Sequence, residues 1–256
     1  MKQLEFVQHA KQIFERNDHV VGLLVGGSWL NNQLDEFSDV DLIVVTDQRI
    51  TDDKDKMVEY AKQLGNFLSG FTGEHVGEPR LLICLYDRPL LHVDLKFLTL
   101  VELAQRVENP VILFDKTGEL QEVLKESKAE FPHPDFQWIE DRFWIWVHYA
   151  LVKIGRGEYF EALDFFGFLR MLVLGPLLQL KNNRLPRGVR KVETELSVDD
   201  LEFLKSTIPN YDKQSLLKSL KNTISLYRIL RTTLFGPQVC MQTETEQRVM
   251  DYFDEF

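Results

Sequence analysis

Two glycines, a serine and three aspartates are the residues best placed to do chemistry. Gly26-Gly27-Ser28 closes an apolar run that includes Leu23, Leu24 and Val25. About ten residues later, Asp39 and Asp41 open a second apolar run, continuing Leu42-Ile43-Val44-Val45. Glycine lets a backbone turn sharply and approach a ligand with no Cβ in the way. Ser28 falls where a short helix would start, so its hydroxyl can cap free N–H groups or meet a phosphate oxygen. The Asp-x-Asp alternation has the period of a strand. It turns both carboxylates to one face, with Cα atoms roughly 6.6 Å apart. At roughly 4 Å and an effective dielectric near 20, two such charges repel by about 4 kcal/mol. They must shift a pKa or bind a cation, and oxygen-only ligands select a hard ion such as Mg²⁺.

A third carboxylate has the same setting. In Leu91-His92-Val93-Asp94-Leu95-Lys96-Phe97, the polar residues His92, Asp94 and Lys96 share one strand face and the apolar residues share the other. Each piece alone has a bland reading: an ordinary turn, a solvated strand end, a strand with a wet face. Together, in this order and between apolar strands, they describe a phosphate cradle beside a metal clamp.

The Gly-Gly-Ser and Asp-x-Asp pair resembles the DNA polymerase β-type nucleotidyltransferase superfamily, and within it the aminoglycoside and lincosamide nucleotidyltransferases. The resemblance covers about 27 residues and does not specify an acceptor. It implies an α+β fold: a small mixed β-sheet domain with flanking helices, followed by an all-helical bundle. It also implies two Mg²⁺ ions, a nucleoside triphosphate (ATP in the first instance) and a third carboxylate on a later strand. Carried over by position, Asp39, Asp41 and Asp94 are the metal-binding and catalytic residues, and Gly26, Gly27 and Ser28 hold phosphate.

Composition sets the bounds. The chain has 256 residues, 44% hydrophobic, enough for one large or two modest domains with real cores. A net charge of −10 argues against broad nucleic-acid binding, which needs a basic surface, and suits a cationic acceptor. Cys84 and Cys240 lie far apart without metal or disulfide spacing, so a reducing cytoplasm is expected. The first residues carry no signal-like apolar core. The most apolar run, 165–180, contains Arg170 and Gly175-Pro176, and is expected to fall short of a membrane span.

Periodicity then assigns elements. Residues 3–16 read as an amphipathic helix and 52–68 as another, with the two apolar strands between them. The glycine-containing stretch 69–79 reads as a loop. Residues 80–86 and 91–98 form an antiparallel hairpin across Asp87-Arg88-Pro89. A helix near 101–107 and a strand at 111–114 follow. Strand signals vanish after Phe131-Pro132, which places the boundary between about 118 and 135. We divide the chain into a nucleotidyltransferase domain, 1–125, and a helical substrate-binding domain, 126–256.

In the second domain, Ile139, Phe143, Val147, Ala150 and Ile154 step along one helix face. A second stripe carries Arg142, Trp146, Tyr149, Lys153 and Arg156, which could stack a base and neutralise phosphate, or simply face water. Phe143 to Glu158 is similar to the start of the helical domain in aminoglycoside 6-adenylyltransferase-like enzymes. That resemblance implies that Lys153 faces the nucleotide phosphates. Some family members take their general base from this domain, where Glu140 and Glu161 are the candidates; otherwise Asp94 serves. Helices are also expected over 158–180, after Ser197, over 213–235 and over 243–256.

The expected activity is Mg²⁺-dependent transfer of a nucleoside monophosphate from NTP to a hydroxyl of a small molecule, with pyrophosphate released. An aminoglycoside or lincosamide acceptor, and hence antibiotic resistance, is the family's suggestion. The alternatives are an NTP-binding module without chemistry, or nucleotidylation of a protein or tRNA. The expected partners are the acceptor and the NTP, without membrane or nucleic acid, and with room for a homodimer.

Overall fold

Alternation of apolar and polar residues decides which face of each strand is buried. The computed structural model describes residues 2–31 and 33–256. The chain divides into two compact units, Met1–Phe131 and Pro132–Phe256.

The first unit is a six-stranded mixed sheet among the described residues. In chain order its elements are α1 (Lys2–Glu15), β1 (Val20–Val25), β2 (Val40–Thr46), α2 (Lys54–Lys62), β3 (Phe67–Gly73), β4 (Glu78–Tyr86), β5 (Leu91–Leu98), α3 (Leu100–Leu103), β6 (Val111–Asp115) and α4 (Glu119–Glu126). The strands run in the order β3-β4-β5-β2-β1-β6. Only the central β2–β5 pair is parallel; the other neighbours are antiparallel. Val40, Leu42 and Val44 of β2 join Val93, Leu95 and Phe97 of β5 on one face, under Val7, Ala10 and Phe14 of α1 and Met57 and Ala61 of α2. On the opposite face, Leu24, Val45 and Leu98 meet Leu103 of α3 and Leu120 of α4. Asp41 and Asp94 belong to that second face.

Three expectations for this unit need correction, one of them the helix expected near 101–107, which is only the short α3, Leu100–Leu103. The stretch 69–79 is not a loop: Phe67–Gly73 is an edge strand paired with β4, followed by a short 3-10 turn, Glu74–Val76. Gly70 and Gly73 weakened its strand signal, and cross-strand hydrogen bonding overrides such local preference. The helix expected over 52–68 spans only Lys54–Lys62, because 67 and 68 already belong to β3.

The second unit is helical throughout: α5 (Phe136–Gly155), α6 (Tyr159–Leu169), α7 (Gly175–Lys181), α8 (Val192–Glu195), α9 (Val198–Lys205), α10 (Lys213–Leu234) and α11 (Thr243–Phe253). The Ile139-to-Ile154 face of α5 is buried against Leu220, Ile224 and Tyr227 of α10 and Phe166 of α6. Asp135 caps α5 through Trp138 N–H, and Ser197 caps α9 through Asp200 N–H. Between α6 and α7 the chain passes through one π-helical turn, Arg170–Leu174, and Pro176 sits in the first turn of α7, where its missing N–H is harmless. The helical path therefore survives Arg170 and Gly175-Pro176. By length and composition alone, Tyr159–Lys181 is apolar enough to cross a membrane, contrary to the sequence expectation. Half of its most apolar window is buried inside the protein, and Ala162, Phe166, Leu169, Val173 and Leu177 are bundle core.

Candidate metal and phosphate site

The parallel pairing of β2 with β5 sets Asp41 directly beside Asp94. Asp39 lies two residues before Asp41, just ahead of β2, so it reaches the same face. Ligand oxygens of Asp39, Asp41 and Asp94 all lie within 4.8 Å of one another, and all three residues are half-buried. The segment leading into Asp39 is held from behind. Gln3 of α1, fully buried, donates from Nε2 to the carbonyls of Asp35 and Ser38, each at 2.9 Å.

The glycine turn is built onto the same strand pair. Gly26 N–H donates to the Asp41 carbonyl at 3.0 Å, and Gly27–Asn31 form one 3-10 turn, with Ser28 second. Gly27 has φ +60°, and a Cβ there would stand 1.8 Å from Asp41 Oδ2. Only glycine can both take this backbone angle and leave Asp41 its place. Glu108, a residue the sequence reading missed, also belongs here. Its Oε1 accepts Gly27 N–H at 2.9 Å, and a Cβ on Gly26 would come 2.7 Å from the same oxygen. Nothing in the local sequence marks Glu108, since only the fold brings residue 108 back to residue 27.

The site opens into a cleft of about 190 Å³ whose lining includes Gly26, Asp41, Glu78, Asp94, Lys96 and Glu108. Lys96 Nζ and Arg80 Nε each lie 2.7 Å from Glu78. Burial pushes the Glu78 carboxyl up, but its hydrogen bonds to Arg80 and Lys96 more than reverse this and hold it at about 2. One cross-strand row continues from the carboxylates to the sheet edge: Asp41, Asp94, Ile83, Phe71. Phe71 is half exposed.

Residues 7–70 match the family model for the nucleotidyltransferase domain. This stretch carries a nucleotidyltransferase-type fold. It holds the glycine turn, Asp39 and Asp41, about a quarter of the chain, and stops short of Asp94. No curated protein gives a significant match. Two solved structures are similar. The aminoglycoside 6-adenyltransferase from Bacillus subtilis is 16% identical, over 99% of this chain and 96% of that one, with a TM-score of 0.42. A nucleotidyltransferase-like protein from Exiguobacterium sibiricum 255-15 is 13% identical, over 87% of this chain and 74% of that one, with a TM-score of 0.35. Both scores are too low to equate the folds.

In the helical unit, the residues singled out in the sequence have partners within that unit. Lys153 Nζ bonds to Glu158 at 2.7 Å and Glu161 at 2.9 Å, and both hydrogen bonds raise its pKa. Tyr149 donates its hydroxyl to Glu161. Arg142 lies over the Trp138 ring, and Trp146 packs edge-on against Phe168. Glu140 is fully buried. It accepts hydrogen bonds from Tyr227 Oη at 2.5 Å, from Arg231 at 3.0 Å and from Gln242 N–H at 3.0 Å. A carboxylate so enclosed holds the bundle together. Of the two glutamates considered as base, Glu161 is the exposed one.

Proposed function

We propose that the protein is a Mg²⁺-dependent nucleotidyltransferase that moves a nucleoside monophosphate from an NTP, ATP in the first instance, to a hydroxyl of a small molecule. The observation that supports this best is the convergence of Asp39, Asp41 and Asp94 within 4.8 Å, next to a glycine turn. Three carboxylates with no nitrogen or sulfur ligand fit a hard divalent ion. In this reading Asp39, Asp41 and Asp94 hold two Mg²⁺ ions. Bound there, magnesium supplies charge neutralisation to the triphosphate and the leaving pyrophosphate.

The remaining roles fall to the chain itself. Gly27 N–H and Ser28 bind oxygens of the β- and γ-phosphates, with a phosphate oxygen replacing Glu108 on the Gly27 N–H. The acceptor oxygen attacks the α-phosphorus, its proton passes to Asp94, and the bond to pyrophosphate breaks. Lys153 binding to phosphate would require exchanging Glu158 and Glu161 for the nucleotide. The helical unit as substrate-binding domain, an aminoglycoside or lincosamide acceptor, a cytoplasmic location and a homodimer are further parts of the proposal. They rest on the sequence resemblance and on composition.

The test is pyrophosphate release from ATP and Mg²⁺ across a panel of hydroxyl-bearing small molecules that includes both antibiotic classes. Wild type should turn over at least one acceptor, and Asp41→Asn should lose about 10²-fold or more. An unchanged rate in Asp41→Asn would refute the catalytic assignment. ATP binding without release on any acceptor would leave a binding module.

A further inference from the structure

Asp94 has a neighbour that the metal cluster itself does not include. His92 Nε2 lies 2.9 Å from Asp94 Oδ1. The two residues are two apart on β5, so their side chains share the face that carries the three carboxylates. His92 is about half exposed, whereas the Asp94 side chain is 22% exposed. A carboxylate oxygen can only accept, so the ring presents an N–H to it. With Oδ1 held in this way, the plane of the Asp94 carboxylate is set before any cation arrives. Asp41 sits beside Asp94 in register, and like charges this close repel.

We propose that His92 is a positioning residue: its hydrogen bond holds Asp94 in the orientation that closes the carboxylate cluster around a divalent cation. The inference rests on the metal-binding reading above. Partners that hydrogen-bond a metal-ligating group fix its orientation, and removing one typically weakens metal binding by about 10- to 100-fold.

The experiment is titration of the full-length protein with Mn²⁺ alone, without nucleotide or acceptor, read by calorimetry and by electron paramagnetic resonance. His92→Ala should weaken Mn²⁺ binding by about 10-fold or more at an unchanged melting temperature. His92→Gln, whose amide N–H can reach the same oxygen, should restore binding to within about threefold. In an Asp94→Ala background, His92→Ala should change nothing further. His92→Ala binding Mn²⁺ as tightly as wild type overturns the proposal. So does His92→Gln as weak as His92→Ala, or a nitrogen directly coordinated to Mn²⁺ in the pulsed spectrum, which would make His92 a ligand. If wild type itself binds no Mn²⁺, the metal reading of the three aspartates fails, and the role of His92 falls with it.

Discussion

Gly27 and Asp41 compete for one volume. The glycine has a left-handed backbone, and any Cβ on it would fall 1.8 Å from Asp41 Oδ2. Gly27→Ala therefore adds a backbone cost on the order of 1–2 kcal/mol and expels Asp41 from its position. The expected outcome is a melting temperature lower by a few degrees together with loss of Mn²⁺ binding and turnover, measured on the same preparation. Metal binding that survives intact in Gly27→Ala would show that the turn and the carboxylates are independent. Gly26 tells a related story, because it faces Glu108 as Gly27 faces Asp41. The turn is small because acidic side chains crowd it from two directions.

In each unit a charged network ties elements together. In the sheet, Glu78 of β4 holds Lys96 of β5 and Arg80 of its own strand. Its carboxyl stands at about 2 in the folded protein against 4.5 as a free group. A carboxyl with a depressed folded pKa contributes stability that is present in full above 4.5 and is lost as the pH falls through about 2. Glu78→Gln should therefore cost roughly 1–2 kcal/mol at neutral pH, after allowance for its partial exposure. Most of that difference should vanish in urea melts run at progressively lower pH towards 2. In the bundle, Glu140 joins α5 to Tyr227 and Arg231 of α10 and to the start of α11 at Gln242. It is completely buried. Glu140→Ala leaves a buried phenol and part of a guanidinium without their acceptor, an expected loss of about 3–5 kcal/mol. Denaturant unfolding followed by circular dichroism reads that loss. If Glu140 were the catalytic base instead, Glu140→Gln would keep the fold and lose turnover.

The two units each have a core of their own. The sheet core of the first draws on residues up to Phe114, with a smaller second cluster on the opposite face reaching Leu124. The helical core runs from Phe136 to Phe253. A protein made of residues 132–256 alone should therefore fold, giving a helical far-ultraviolet spectrum and a cooperative thermal transition. A featureless melt would show that the bundle needs the sheet unit. The chain passes from the one unit to the other at Phe131 and Pro132.

What the sequence determined by itself is the local grammar. The apolar runs at 20–25 and 40–46, the alternation at 91–98, the helical face of α5, and the choice of Gly-Gly-Ser and Asp-x-Asp are all legible, because each is a relation among residues a few positions apart. The α4 helix at Glu119–Glu126 and the edge strand β3 were not legible. Glycines mask the strand, and its partner is fixed by pairing with β4. The parallel β2–β5 register that sets Asp41 beside Asp94, the return of Glu108 to Gly27 and the enclosure of Glu140 were decided only by tertiary structure. Each joins residues more than fifty positions apart, a distance at which periodicity carries no information and only the closing of the chain on its cores sets who meets whom.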